Sequence, residues 1–145
     1  MPTLYLIRGL PGSGKSTLGK ALCGSLSFAA DDWFEMKAEN EGKTYPEVFD
    51  PSELSDAHQL CQDNVRFSMR DALANEQYDT DIAVCNTFSQ SWEAQPYFDL
   101  ADEHGWNIHV LECQTLFKNT HQVPEEAILA MRERWEPLKD FRNTP

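Results

Sequence analysis

The segment from Gly9 to Thr17 carries the clearest chemistry in the sequence. It reads Gly-Leu-Pro-Gly-Ser-Gly-Lys-Ser-Thr, which fits the pattern G-x-x-x-x-G-K-[ST]. Glycines let backbone N–H groups turn inward around a phosphate, and the helix that follows such a loop adds partial positive charge. Lys15 can reach the outer phosphates of a nucleotide, and the Ser16 hydroxyl is placed to ligate Mg²⁺. We expect nucleotide contacts from eight residues: Gly9, Pro11, Gly12, Ser13, Gly14, Lys15, Ser16 and Thr17.

Two adjacent aspartates, Asp31 and Asp32, follow a short predicted strand at residues 26–30. At least one of them is expected to face the phosphate loop across a ligand crevice. Phosphoryl transfer to an alcohol uses a carboxylate that orients the hydroxyl and accepts its proton. The alternative is a solvated turn, or a cap for a helix that begins near Trp33, with Asp32 as the better cap.

Asn86 and Thr87 follow a buried strand at residues 82–85. In phosphate-loop proteins an acidic residue at this point often holds Mg²⁺. Here that position carries an amide, and Asp81 lies at the opposite end of the strand. A magnesium ion would therefore rely on Ser16, the nucleotide, water and a carboxylate from the aspartate pair. Ordinary turn chemistry is the alternative for Asn86 and Thr87.

Residues 114–123 show little periodicity and are predicted to form a short lid over the phosphates. Lys118 is its one permanent cation and is expected to reach the transferred group, with His121 nearby. Arg132 and Arg134 lie on the next predicted helix and cannot both face the site. Arg134 as a solvated cation and His121 as a loop hydrogen-bonder are the alternatives.

Strands and helices alternate along the chain, which predicts an α/β three-layer sandwich around a parallel sheet of about four strands. Strands are predicted at residues 4–8, 26–30, 82–85 and 107–112, and helices at 15–25, 51–75 and 91–104, with a last helix opened by Pro124. Residues 38–49 contain Gly42 and Pro46 and are predicted to be a mobile loop. Ligands in such sheets bind at the carboxyl ends of the strands, where the polar clusters fall.

Composition limits the possible partners. The 145 residues suit one domain, and 12 Lys+Arg against 24 Asp+Glu give a net charge of −12. Broad, sequence-independent binding to nucleic acid is therefore not expected, although a strand end or nucleotide in a local pocket is compatible. The four cysteines show no paired spacing and favour a reduced, cytoplasmic setting. No apolar run is long enough for a membrane span.

Motifs spread over nearly the whole chain resemble the small phosphate-loop kinases related to polynucleotide kinase, especially compact phage-type members. The matching stretches are residues 6–17, Ala-Asp-Asp-Trp-Phe (30–34), Ala-His (57–58), Asn-Thr-Phe (86–88), Trp-Glu (92–93), Pro-Tyr (96–97), residues 119–124 and Met-Arg-Glu-Arg-Trp-Glu (131–136). The resemblance implies a P-loop kinase fold over residues 1–145.

The resemblance also implies roles for single residues. Asp31 would activate an acceptor 5′-hydroxyl and join Ser16 at Mg²⁺, with Lys15 and Lys118 on the phosphates of ATP. Acceptor contacts are expected from Asp32, Phe34, Asn86, Thr87, His121 and Arg132. The sequence departs from the family at three places: Phe34 replaces an acceptor-binding Arg, Asn86 replaces an acid, and Lys118 replaces a lid Arg.

The leading hypothesis is a kinase that moves the ATP γ-phosphate to a nucleic-acid 5′-hydroxyl or to a nucleoside or nucleotide. A non-catalytic NTP-binding module that acts on a host or replication protein is the second reading. Slow NTP hydrolysis is the third, and the missing acid after the third strand counts against it.

Overall fold

Four strands pair in parallel in the computed structural model, which describes residues 2–114 and 123–138. The strands are β1 Thr3–Gly9, β2 Ser27–Phe28, β3 Asp81–Asn86 and β4 Asn107–Cys113. Their order across the sheet is β2-β3-β1-β4, with Leu4 opposite both Ile82 and Ile108. The interior position of β1 explains its apolar run, because helices cover both faces of a parallel sheet.

The helices and one 3₁₀ turn connect these strands. They are α1 Lys15–Cys23, α2 Asp31–Glu41, α3 Tyr45–Val48, the 3₁₀ turn Pro51–Glu53, α4 Leu54–Ala74, α5 Ser91–His104 and α6 Glu125–Glu133. Because each β-strand runs to the same edge of the sheet, α1, α2 and α5 all begin near the carboxyl ends of strands.

Helices α4 and α5 pack on one face of the sheet, and α1 packs on the other. Val65 and Met69 of α4 join Leu4 and Leu6 of β1 in the main core. On the opposite face, Ile7 is fully buried in a smaller cluster with Leu18 of α1. This arrangement confirms the predicted three-layer α/β fold. Within residues 2–114 and 123–138, no helix combines the length and hydrophobicity that a bilayer crossing needs.

Helix α1 lies unusually close to the sheet because residue 19 is glycine. A Cβ atom at Gly19 would meet Cys85 Sγ at 2.4 Å and Ser27 Oγ at 2.6 Å. A larger residue would displace these two side chains or push the helix away from β3. The same helix carries the phosphate loop at its N-terminus, so this contact also sets the height of the loop above the sheet edge.

The predicted loop at residues 38–49 is wrong. Helix α2 continues to Glu41, where Gly42 closes it in the left-handed conformation at φ 66°. Pro46 then lies in the first turn of α3, which Thr44 and Glu47 cap reciprocally. Both residues mark helix ends here, which are the other positions where Gly and Pro are favoured.

The second strand is also shorter than expected. It covers Ser27–Phe28 rather than residues 26–30, and the aspartate pair opens α2 instead of closing the strand. Two carboxylates in a first helical turn lie against the positive end of the helix dipole, which stabilises the helix start.

Candidate functional site

The phosphate loop runs from the end of β1 to the start of α1. Gly12 and Gly14 have φ angles of 83° and 88°, which lie in the left-handed region that glycine tolerates. Gly9 has a different constraint: a Cβ there would lie 2.2 Å from Ser13 Oγ and 3.0 Å from the Cys113 carbonyl oxygen. The loop therefore folds back closely on itself and on the end of β4.

The N-terminus of α1 is open to an anion. Its first turn has no acidic residue, and its N-cap, Gly14, offers no side chain to the free N–H groups. Ser13 is buried, and its Oγ makes no hydrogen bond to the described residues. Unpaired N–H groups and a buried hydroxyl at a helix start fit a phosphate group.

Lys15 brings a cation to this loop. Its ammonium donates to the Leu10 carbonyl oxygen at 3.3 Å. Burial lowers the pKa of Lys15, while the nearby Asp31 carboxylate acts in the opposite direction. A phosphate group would compensate the buried ammonium, because an anion near a cation favours its charged form. Asp31 is thus a carboxylate whose charge acts on the loop lysine.

Asp31 is held by a tyrosine that the sequence did not single out for this role. The Tyr45 hydroxyl, on α3, donates to Asp31 Oδ1 at 2.6 Å. Burial and the Asp31 carboxylate raise the pKa of Tyr45, so the phenol stays protonated and donates. Tyr45 in turn packs near Phe34 and Phe49, with ring centroids 5.8 Å away in both cases. The short helix α3 thus orients the candidate base.

Asp32 and Asn86 form local backbone contacts at the same edge. Asp32 Oδ2 accepts from the Ala29 amide at 2.9 Å, and burial raises the pKa of Asp32. Asn86 Oδ1 accepts from the Ala30 amide at 2.8 Å, and Asn86 is buried. The side-chain amide at the end of β3 therefore joins this strand to the segment that follows β2, which is a physical reason for a neutral residue there.

Phe34 requires a correction. It is 1% exposed and packs in a core cluster with Ala38, Val48 and Ala57. A ring sealed in this cluster cannot stack on an acceptor, so we no longer include Phe34 among the acceptor contacts. Thr87 is half-buried beside Asn86 at the carboxyl edge and keeps its predicted place.

The start of α5 is occupied by the protein's own carboxylates. Glu93 Oε2 accepts from the Gln90 amide at 2.8 Å and from Ser89 Oγ at 2.8 Å. The Glu136 side chain accepts from the Ser91 amide. Unlike α1, this helix presents N–H groups that are already satisfied.

His58 lies on α4 within electrostatic range of both Asp31 and Glu93. Burial lowers the pKa of His58, so the imidazole is neutral at pH 7. The sequence motif Ala57-His58 carried no predicted role, and the histidine spacing alone gave no signal for one.

A pocket of about 310 Å³ opens next to the loop, lined by Leu10, Glu112, Cys113, Gln114, Arg132 and Trp135. Arg132 therefore faces the loop side. Arg134 instead donates from Nε to Ser89 Oγ at 3.0 Å and remains exposed to solvent, so it is a solvated cation with one protein partner. The two arginines point in different directions, as residues two positions apart at a helix end do.

Arg8, at the end of β1, was not predicted as part of the site. Its guanidinium donates to the carbonyl oxygens of Phe88 and Glu136, pairs with Glu112 at 3.5 Å, and stacks 4.0 Å from the Trp135 ring centroid. The motif at residues 131–136 was the available signal. Arg8 holds the C-terminal segment against the strand ends beside the loop through its contacts with Trp135 and Glu136.

Lys118 and His121 lie outside the described residues, and so does most of the predicted lid. Among the residues that are described, no group of three or more His, Cys, Asp or Glu side chains is arranged to hold a metal ion. Ser16 is exposed in the first turn of α1. A magnesium ion at this loop would be held by Ser16, phosphate oxygens and water, with Asp31 across the crevice.

Known proteins share parts of this sequence. A family model described as an AAA domain matches residues 4–116, from within β1 to just beyond β4. NEDD4-binding protein 2 of Homo sapiens is 30% identical over 146 residues, which cover 92% of this chain and 8% of that protein. An uncharacterized protein of Pasteurella multocida (strain Pm70) is 28% identical over 134 residues, covering 90% of this chain and 75% of that protein. The chain thus spans a small part of the human relative.

Proposed function

This chain belongs to the AAA-domain family, and from that premise we propose that it is a phosphotransferase that moves the γ-phosphate of ATP to a hydroxyl acceptor. One observation carries the proposal. The helix start that is open to phosphate, at α1, and a tyrosine-held carboxylate, Asp31 at the start of α2, both lie at the carboxyl edge of the sheet. A nucleotide-binding site alone does not require that carboxylate, whereas transfer to an alcohol does.

Each residue has a defined part in the proposed reaction. The loop amides and Lys15 bind the phosphates, and Lys118 is proposed to reach the γ-phosphate from the lid. Asp31 accepts the proton of the acceptor hydroxyl while the hydroxyl oxygen of the acceptor bonds to the γ-phosphorus. The bond between that phosphorus and the β–γ bridging oxygen breaks, and ADP leaves. Mg²⁺, held by Ser16 and Asp31, would neutralise charge that develops on the phosphates.

We keep two acceptor classes from the polynucleotide-kinase-like resemblance: a nucleic-acid 5′-hydroxyl, and a nucleoside or nucleotide. Asp32, Asn86, Thr87, His121 and Arg132 remain proposed contacts to the acceptor or its surroundings. The cytoplasm is the proposed location, because all four cysteines are free thiols.

The test is transfer from labelled ATP with Mg²⁺ to 5′-hydroxyl oligonucleotides and nucleosides. Asp31→Asn is the sharpest variant, because an asparagine oxygen still accepts the Tyr45 hydrogen bond while the basic carboxylate is removed. We expect transfer to fall by about 100-fold or more, with ATP affinity retained. Lys15→Met should weaken ATP binding by about 1.5–3 kcal/mol while the fold is kept.

Asp79→Asn is the matched control, since Asp79 is exposed in the turn before β3, at the opposite end of the sheet. Equal loss in both aspartate variants would remove Asp31 from the mechanism. Tight ATP binding without transfer to any acceptor would favour the NTP-binding module instead.

A further inference from the structure

We infer that the outer edge of β4 is a pairing surface for β4 of a second copy of this chain. The two strands run antiparallel across a two-fold axis, because a two-fold contact places the same surface of each copy against the other. The pairing joins two four-stranded sheets into one continuous sheet. It is independent of the phosphotransferase function proposed above, since it uses an edge of the sheet and not the phosphate loop.

The two edges of the sheet differ in length. At one edge β2 covers Ser27–Phe28, whereas at the other β4 covers Asn107–Cys113 and is as long as the interior strand β1. β4 pairs with β1 in one continuous register, so no bulge twists this edge away. Soluble proteins protect sheet edges with short strands, bulges, proline or lysine, and β4 contains neither proline nor lysine. Its edge is therefore suited to pairing.

A hydrogen bond of Asn107 shows which backbone groups of β4 face outward. Its amide donates to the Pro2 carbonyl oxygen at 3.0 Å, so Asn107 turns its backbone groups toward β1. Successive residues of a strand turn these groups to opposite sides, so Ile108, Val110 and Glu112 turn theirs to the outer edge. Among the described residues, no strand lies on that side of β4. A regular row of such N–H and C=O groups is a template for another strand.

The side chains of β4 leave this edge accessible. Val110, in the middle of the strand, is 40% exposed. His109 is exposed on the opposite face of the sheet, where it stacks on Tyr5 with ring centroids 5.9 Å apart. Exposure on both faces of the strand means that the flanking helices do not cover the middle of β4, so a neighbouring strand can approach it.

A second copy fits this edge best with Val110 on the two-fold axis. Val110 then lies opposite Val110 of the second copy, and Ile108 lies opposite Glu112 of the second copy, so all three outward residues exchange backbone hydrogen bonds. A shift by two residues in either direction leaves one outward residue of each copy opposite a residue outside β4. The preferred register also places an apolar, β-branched pair at its centre, which stabilises strand pairing.

The charge of the edge favours a second copy as its partner. The chain has a net charge of −12, so two copies can meet closely only where acids are few. β4 contains one acid, Glu112, and the Arg8 guanidinium lies 3.5 Å from its carboxylate. With Val110 on the axis, the two Glu112 residues are about 13 Å apart along the strands, which exceeds the screening length of about 8 Å at physiological salt. A highly charged peptide finds no matching row of charges here, whereas β4 itself fits.

The experiment measures the mass in solution by sedimentation equilibrium, from low micromolar to millimolar protein. We expect the wild-type mass to rise from 16.6 kDa toward twice that value. Val110→Lys and Val110→Glu each place like charges on the two-fold axis and should remain monomeric, because like charges directly opposite destabilise a strand pair. An equimolar mixture of the two variants should recover the dimer, since opposite charges then face each other.

Both variants change an exposed side chain whose backbone groups do not pair with β1, so circular dichroism should show the wild-type fold. Leu73→Lys is the matched control, because it adds the same charge to an apolar side chain that is 62% exposed on α4. This control should dimerise like the wild type.

Amide hydrogen exchange followed by NMR locates the contact. The amides of Ile108, Val110 and Glu112 should exchange about ten-fold or more slowly in the dimer than in Val110→Lys, while the His109 amide, which faces β1, is protected in both. A wild-type protein that is monomeric at every concentration would overturn the inference and leave the edge to a strand of another protein. A mixture that stays monomeric, or a dimer whose Val110 amide exchanges as fast as the same position in the monomer, would also overturn it.

Discussion

Lys15 and Arg8 are cations seven positions apart whose surroundings differ in kind. The Arg8 guanidinium meets two carbonyl oxygens, a carboxylate and an aromatic face. The Lys15 ammonium has a carbonyl oxygen at 3.3 Å, and burial lowers its pKa. A cation with several protein partners stabilises structure, whereas a desolvated one beside an open helix start is prepared for an anion.

Substitutions at Asp32 distinguish a structural role of this side chain from a role in binding the acceptor. Because burial raises its pKa, the folded protein holds the proton more tightly than the unfolded chain does. The stability that protonated Asp32 contributes is therefore lost as the pH rises from its pKa in the unfolded chain through its pKa in the folded protein. At neutral pH the folded protein bears the free-energy cost of keeping a buried, ionised carboxylate. Asp32→Asn removes that cost and keeps an oxygen for the Ala29 amide, so we expect unchanged or higher stability at neutral pH.

Asp32→Ala, by contrast, loses the oxygen and should lower the free energy of unfolding by about 1 kcal/mol relative to Asp32→Asn. Urea unfolding at about pH 5 and about pH 7 measures both variants. The same preparations can be assayed for transfer. If Asp32→Asn were as unstable as Asp32→Ala, the Ala29 contact would not be what the side chain provides.

At the scale of elements, the sequence predicts best where one local signal decides a boundary. Gly105 in the sequence predicts that α5 ends at residue 104. The structure confirms this end, and Gly105 has the left-handed conformation at φ 71°. Gly42 has the same conformation, yet it was interpreted as part of a loop. The difference is that residues 38–41 lack a regular apolar pattern, so nothing in the local sequence marked the last turn of α2.

In the site, too, the features that depend on neighbouring residues could be predicted and those that depend on distant residues could not. The phosphate loop could be predicted because its function depends on consecutive residues. The contacts of Tyr45 with Asp31 and of Arg8 with Glu136 join residues 14 and 128 positions apart. No spacing rule connects such pairs, since they depend on how α3 and the C-terminal segment pack against the sheet edge.

Gly19 gives the prediction at the element scale. In Gly19→Ala the new methyl group would overlap Cys85 Sγ and Ser27 Oγ, so these buried contacts must rearrange, and we expect α1 to move away from β3. We expect stability to fall by about 1–3 kcal/mol, as for other overpacked contacts. ATP affinity should fall as well, because the phosphate loop moves with its helix. Thermal unfolding and nucleotide titration measure the two effects.

Lys20→Ala changes the next residue of α1, which is exposed, and should alter stability by no more than about 0.5 kcal/mol. A Gly19→Ala protein with wild-type stability would mean that α1 does not rest on β3 as closely as the Cβ distances imply.

At the scale of the whole molecule, the chain closes on itself at the carboxyl edge. The C-terminal segment reaches back to this edge, where the Glu136 amide donates to the Ser89 carbonyl oxygen at 2.8 Å and Trp135 Nε1 donates to Glu112 at 3.0 Å. Arg8 links this segment to β1, to the end of β3 and to β4. The residue that precedes the phosphate loop thus also holds the last described part of the chain.

Arg8→Met therefore tests whether Arg8 holds the C-terminal segment at the carboxyl edge. It leaves the carbonyl oxygens of Phe88 and Glu136 without their donor, and we expect the free energy of unfolding to fall by about 2–4 kcal/mol, because a buried acceptor left without a partner costs about 1–3 kcal/mol. The stability of Arg8→Lys should lie between that of this variant and that of the wild type, because one ammonium cannot reproduce the planar fork of donors.

Arg66→Met is the control: it removes a surface arginine that pairs with Asp63 on α4, and it should lower the free energy of unfolding by no more than about 1 kcal/mol. Chemical unfolding of the three variants orders them, and limited proteolysis reports release of the C-terminal segment. If Arg8→Met unfolded like Arg66→Met, the segment would be held by Glu136 and Ser91 without the arginine, and the loop would not depend on the chain's closure.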